Sequence, residues 1–184
     1  MKSVKPVYLV ALVAVSALAL VLQFINPHKK YSTREFWQAA EVSAVQEVPQ
    51  EALNKGNRNG PVLMWAAMGS SSPEVIRGLV ARGADVNESD RLFAGTPLTG
   101  AAGYSRHPEI IEELVRLGAD ANKKVHNDET ALMVAARYNK NAGIVEALVN
   151  AGAETDHRNS QGLTALELAI ENENDVVAEA LKRL

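Results

Sequence analysis

The sequence predicts an all-α chain, a solenoid of stacked helix-turn-helix units behind one N-terminal membrane-spanning helix. Three observations predict it. A run of 19 residues, Val7 to Ile25, carries no charge. A block recurs as Gly83-Ala84-Asp85-Val86-Asn87, Gly118-Ala119-Asp120-Ala121-Asn122 and Gly152-Ala153-Glu154-Thr155-Asp156, spaced by 35 and then 34 residues. A second block keeps the same phase: Thr96-Pro97-Leu98-Thr99-Gly100-Ala101-Ala102, Thr130-Ala131-Leu132-Met133-Val134-Ala135-Ala136 and Thr164-Ala165-Leu166-Glu167-Leu168-Ala169-Ile170, with Pro61-Val62-Leu63-Met64-Trp65-Ala66-Ala67 as a looser earlier copy. Two motifs held in one register mark a repeat architecture, in which each unit buries its apolar face by stacking on the next.

Residues 1–6 form a basic leader, with Lys2 and Lys5. Residues 7–25 follow as a transmembrane signal-anchor helix. At 1.5 Å per residue this helix is roughly 28 Å long, close to the thickness of a bilayer's hydrocarbon core. Ser16 and Gln23 interrupt the run without giving it the polar face of a soluble core helix, and Asn26-Pro27 ends it. Residues 26–32 are the linker. Ala17-Leu18-Ala19 meets the small-x-small rule for signal cleavage, yet Leu20-Val21-Leu22 follow at once and no polar region precedes the site. A retained anchor is therefore the preferred reading, and secretion to the periplasm after cleavage near Ala19 is the alternative. Lys29 and Lys30 balance the leader's charge. A short leader that stays cytoplasmic places the chain in the inner (cytoplasmic) membrane as a single-pass protein with its body in the periplasm.

The formal charge of −3 conceals a division. Through Lys30 there are four basic residues and no acidic one, so the other 15 of the 19 basic residues face all 22 acidic ones, a body of net −7. Neutralising phosphate needs a basic surface, so nucleic acid is excluded as a partner. The chain has no cysteine, which removes a disulfide framework, a thiolate zinc site, a cysteine nucleophile and an acylated lipoprotein cysteine. With 47% hydrophobic and 22% charged residues the body is not a disordered chain.

Within one unit, Thr96 is suited to cap the first helix and Pro97 to occupy its first turn, where no amide donor is needed. The alanine pair lets that helix approach its neighbour closely. Ser70-Ser71-Ser72, Ser105-Arg106-His107 and Asn139-Lys140-Asn141 make the turn. The second helix carries Val75, Ile76, Leu79 and Val80, then Ile110, Ile111, Leu114 and Val115, then Ile144, Val145, Leu148 and Val149, all at helical spacing. Glycine after the last turn supplies the left-handed residue that ends it, and Asp, Asn and Gly build a projecting finger.

These units resemble ankyrin repeats, whose T-P-L-H-x-A signature and roughly 33-residue period they approximate from about Asn57 to Leu184. The resemblance divides the body into a degenerate capping repeat at 33–56, with Phe36-Trp37-Gln38-Ala39-Ala40 in the helix-one position, repeat 1 at 57–90, repeat 2 at 91–124, repeat 3 at 125–158 and repeat 4, the C-terminal cap, at 159–184. The family's histidine is replaced by Met64, Thr99, Met133 and Glu167, so the bonds it makes between loops are expected to be missing.

No H-E-x-x-H, G-x-x-x-x-G-K-[ST], G-x-S-x-G or G-x-G-x-x-G motif is present. His126 and His157 fall in successive fingers and give a metal-dependent enzyme as a competing reading. Exposed turn histidines account for them without a metal, and His28 and His107 likewise. Ser70-Ser71-Ser72 before Pro73 is turn and cap chemistry. The chain is therefore expected to be non-enzymatic, with no cofactor and no metal.

The resemblance implies a protein-binding module whose partner docks on the fingertips and the exposed, concave side of the first helices. Register places there Arg58 and Met68 in repeat 1, and Leu92, Phe93 and Tyr104 in repeat 2. Repeat 3 offers His126, Asn127, Arg137 and Tyr138, and repeat 4 offers Ser160, Gln161, Glu171 and Asn172. Tyrosine and arginine are frequent interface hot spots. The alternative is that Phe93 staples its finger and the tyrosines pack between neighbouring helices. Trp37 and Trp65 are expected to fill the core. The expected partner is a protein, basic-surfaced to suit an acidic array, held close to the membrane and bound by a monomer. An immunity or inhibitor protein that neutralises a toxin or enzyme, and a cytoplasm-facing scaffold, are the alternatives.

Overall fold

In the computed structural model, residues 31, 33–54, 60–90 and 95–184 are described. The apolar run Val7–Ile25 and the candidate contacts Arg58, Leu92 and Phe93 lie outside them. The helices are α1 (Arg34–Ala39), α2 (Ala44–Glu47), α3 (Val62–Gly69), α4 (Pro73–Ala81), α5 (Pro97–Tyr104), α6 (Pro108–Arg116), α7 (Ala131–Tyr138), α8 (Ala142–Asn150), α9 (Ala165–Glu171) and α10 (Asp175–Arg183). Among the described residues no helix is long and apolar enough to cross a membrane. The odd-numbered helices pack on one another in succession as an inner row, and the even-numbered ones as an outer row.

Local chemistry sets where these helices start. The Thr96 hydroxyl accepts from the Thr99 amide at 3.2 Å while Thr99 Oγ1 accepts from the Thr96 amide at 2.8 Å. Thr164 and Glu167 make the same reciprocal box at α9. These residues stand where the family's histidine would be, so two of the four departures bring helix caps of their own. At α7 the third helical residue is Met133, which has nothing to return, and the Thr130 hydroxyl is buried without a partner. Pro73 and Pro108 open α4 and α6, and Asn141 caps α8 through the Gly143 amide at 3.0 Å.

The outer helices stop at Gly83, Gly118 and Gly152, whose φ values of +100°, +99° and +89° suit glycine. The next amide then reaches back to the last turn, as Ala84 does to the Leu79 carbonyl at 3.0 Å. Across these loops, at positions other than the histidine's, asparagine joins neighbouring repeats. Asn54 donates to the Gly83 carbonyl at 2.6 Å and accepts from the Asp85 amide at 2.9 Å. Asn87 does the same with Gly118 and Asp120 at 2.9 and 3.1 Å. Asn122 repeats it with Gly152 and Glu154 at 3.0 and 2.9 Å. In each rung a single side-chain amide satisfies one backbone donor and one acceptor of the next repeat.

Leu63, Leu98 and Leu132 occupy matching inner-row positions and are fully buried, as are the alanine pairs at 66–67, 101–102 and 135–136. Small side chains there let neighbouring inner helices approach. Ile76, Leu79, Ile110, Ile111, Leu114, Ile144, Val145 and Leu148 fill the space between the rows, each contributing about 1.5–3 kcal/mol against exposure. The first layer is closed by aromatics. Trp37 is fully buried, its Nε1 donating to the Tyr31 carbonyl at 2.9 Å, and the Tyr31 hydroxyl donates to the Glu47 carbonyl at 2.8 Å. Trp65 is half-buried against the core.

One acidic side chain is buried in the outer row. Glu113 accepts from Arg77 of the preceding outer helix at 3.1 Å and from Arg116, one turn on, at 2.9 Å. The Arg116 hydrogen bonds, with Arg77 added, hold the Glu113 carboxyl below its ordinary value of 4.5 against the opposing effect of burial. A depressed folded-state pKa stabilises above the unfolded value and ceases to do so as pH falls through the folded one. Glu113→Gln is therefore expected to cost about 1–2 kcal/mol at neutral pH, a figure kept small because both arginines are half-exposed. Urea titrations from pH 7 downward should show the gap to wild type closing below about pH 4.5. A gap independent of pH would remove the ion pairs as its cause.

Candidate functional site

Inner-row register puts Gly69, Tyr104 and Tyr138 at matching ends of α3, α5 and α7. The two tyrosine rings stack across the repeat boundary, centroids 6.0 Å apart and planes 17° from parallel. They remain 44% and 55% exposed, so the stack leaves much of each ring open. Packing between neighbours and display to solvent, the two alternatives for these side chains, are thus combined in one pair.

The turns that follow the tyrosines are held side by side by buried amides. Asn139 Nδ2 donates to the Ala102 and Ser105 carbonyls, both at 2.9 Å, and its Oδ1 accepts from the Asn141 amide at 3.0 Å. Asn141 Nδ2 donates to the Arg106 carbonyl at 3.0 Å. Asn174 continues the pattern with the Ala136 and Asn139 carbonyls at 2.9 and 2.6 Å. From α1, whose Arg34 carbonyl packs closely on Gly69, Arg34 donates from Nη2 to the Tyr104 carbonyl at 2.9 Å. Together these residues line an open cleft of about 290 Å³, bounded by Arg34, Tyr104, Arg106, Tyr138, Lys140 and the two asparagines.

Among the other contacts expected from register, His126, Asn127, Ser160, Gln161, Glu171 and Asn172 are exposed. The fingers of repeats 3 and 4 meet where the Ser160 amide donates to the Asn127 carbonyl at 2.9 Å. Asn127 takes a left-handed φ of +61°, which its short polar side chain tolerates. Two residues differ from their expected display. Met68 is half-buried and lies against Gly100, where an added Cβ would meet its Cγ at 3.2 Å. Arg137 is half-buried and tied to Glu129 at 2.7 Å, bracing the finger to its own helix. His157 Nε2 is 2.8 Å from the Asp128 carbonyl oxygen, and among the described residues no cluster of metal-ligating side chains forms.

Arg34, Arg106 and Lys140 were not singled out by the sequence as contacts. A basic residue in the middle of successive turns, 34 residues apart, was the signal for two of them. Arg34 had none, because it comes to the cleft from another layer. Residues 98–183 match the family model described as ankyrin repeats in three copies. A search of curated proteins returns no match. Two rows of helices joined rung by rung, together with that match, make residues 98–183 a run of ankyrin repeats, which serve as protein–protein interaction modules.

Proposed function

We propose that the chain is a non-enzymatic binding module, anchored in the inner membrane by residues 7–25, that holds a protein partner close to the periplasmic face of the bilayer. The observation that carries the binding reading is the stacked, half-exposed Tyr104–Tyr138 pair on the inner row. Large rigid aromatics lose little entropy when a partner orders them, which suits a contact patch. The uncharged run Val7–Ile25 supports the anchor. Burial of Tyr31 supports a short tether: five residues, 26–30, separate that run from the first buried residue of the array, a reach of at most about 18 Å.

The test is photo-crosslinking in membranes with Tyr104→Ala/Tyr138→Ala beside wild type. The double variant is expected to bind at least about tenfold more weakly, on the order of 1.4 kcal/mol, with a melting temperature within about 3 °C of wild type. Undiminished crosslinking removes this face from the interface. A fall in melting temperature large enough to account for the loss assigns the tyrosines to packing. Protease added to spheroplasts should cut the array, and protection of the array would place it on the cytoplasmic side.

A further inference from the structure

The body of the protein is acidic, but the cleft beside the tyrosines is not. Arg34, Arg106 and Lys140 line it and, among the described residues, no carboxylate does. Among the described residues none of the three forms an ion pair, the Arg34 guanidinium meets one neutral carbonyl, and its Nε is buried without an acceptor. Neither tyrosine hydroxyl hydrogen-bonds to a described residue. The side chains at the mouth thus offer guanidinium, ammonium and phenol donors, in a chain whose other basic groups are often matched: Arg77 and Arg116 to Glu113, Arg137 to Glu129, Arg158 to Glu167 and Lys182 to Glu179.

The cations are also held in place. The Asn139 and Asn141 amides lock the turns carrying Arg106 and Lys140 in register, and the Arg34 backbone packs closely on Gly69. Like charges gathered on a rigid frame repel one another until an anion joins them, so an acidic ligand gains that repulsion back without ordering the site first. The space of about 290 Å³ has room for one or two side chains between a cationic rim and an aromatic wall.

We infer that this cleft takes a carboxylate-bearing segment of the partner, Glu or Asp beside an aromatic or apolar residue. The inference rests on the reading of the chain as a protein-binding module and gives the chemistry of its partner at one place. The negative sign of the array as a whole, which suits a basic-surfaced partner, does not extend to this cleft.

The probe is a fluorescein-labelled peptide of repeating Glu-Glu-Phe, with its Gln-Gln-Phe counterpart, titrated with the detergent-purified full-length chain by anisotropy. The Glu peptide should bind at least about tenfold tighter than the Gln peptide. Its affinity should fall between about 50 mM and about 300 mM NaCl as screening shortens the reach of the charges. Arg106→Gln/Lys140→Gln should lose about tenfold with melting unchanged, since both side chains are exposed, and the swap Arg106→Lys/Lys140→Arg should keep most of the binding. Equal binding of the two peptides, or an unaffected glutamine double variant, overturns the inference. Displacement by glycerol phosphate at concentrations below those of unlabelled Glu peptide overturns it in favour of a phosphate headgroup. In membranes, a glutamine double variant that still crosslinks the wild-type partner sinks this inference alone, whereas a wild-type chain that crosslinks nothing sinks the binding-module reading.

Discussion

Asn139→Ala lowers the stability of the array by about 3 kcal/mol, the largest loss expected of a single polar substitution here. Asn139 is buried, and its side chain makes three hydrogen bonds, two donated to carbonyls of the preceding repeat and one accepted from its own turn. Truncation leaves the Ala102 and Ser105 carbonyls without this donor in a site that water reaches poorly, and each such loss costs on the order of 1–2 kcal/mol. For a unit of this size the melting temperature should fall by about 6–12 °C. Serine stands at the matching positions 70 and 105, where it accepts from the Ser72 and His107 amides within its own turn. Asn139→Ser should therefore recover the local bond and leave the inter-repeat ones broken, an intermediate loss. Equal melting of the Ala and Ser variants would place the whole effect between repeats; a loss below about 1 kcal/mol for the Ala variant would show that relaxation or water replaces the amide.

Gly69→Ala is the second, with an expected cost of about 2–3 kcal/mol, although alanine is the better helix former by about 1 kcal/mol. A Cβ on Gly69 would stand 2.5 Å from the Arg34 carbonyl oxygen and 3.0 Å from Trp37 Cβ. A backbone oxygen cannot swing away, so α1 must move off α3 as a body. Gly100→Ala provides the contrast: its Cβ would meet Met64 and Met68 Cγ at 2.8 and 3.2 Å, and unbranched thioether chains can re-pack. Its net cost should stay near or below about 1 kcal/mol. Hydrogen exchange should show amides of residues 33–53 exchanging faster in Gly69→Ala and unchanged in Gly100→Ala. Equal costs for the two variants would refute the distinction between a rigid and a yielding neighbour.

Features that depend on a few adjacent residues were legible in the sequence. The threonine-proline start of α5, the glycine ends of the outer helices and the apolar spacing of Ile110, Ile111 and Leu114 all rest on chemistry within one turn. The asparagines of the recurring finger block were visible as a pattern, but their role was not. Asn87 and Asn122 act on the next repeat, a partner that no run of adjacent residues reveals. Register assigned Met68 and Arg137 to a face without showing whether a neighbour covers them. Gly100 opposite Met68 and Glu129 beside Arg137 decide that, and both depend on tertiary packing. Tyr104 and Tyr138 were found by type and position, while Arg106 and Lys140 beside them were hidden in segments read as turns and Arg34 in another layer.

The bond from Arg34 to the Tyr104 carbonyl gives the stack a property that nearest-neighbour contacts lack. In a one-dimensional array each unit feels only the units on either side, and the end unit frays without consequence for the third. Here the first and third inner helices share a bond across the second. Docking of α1 therefore supplies one wall of the cleft, and an occupant of the cleft holds α1 down by mass action. Occupancy and order at the N-terminal edge become two readings of one equilibrium, so a ligand should slow exchange in the first layer by the same free energy with which that layer's order strengthens the ligand's grip.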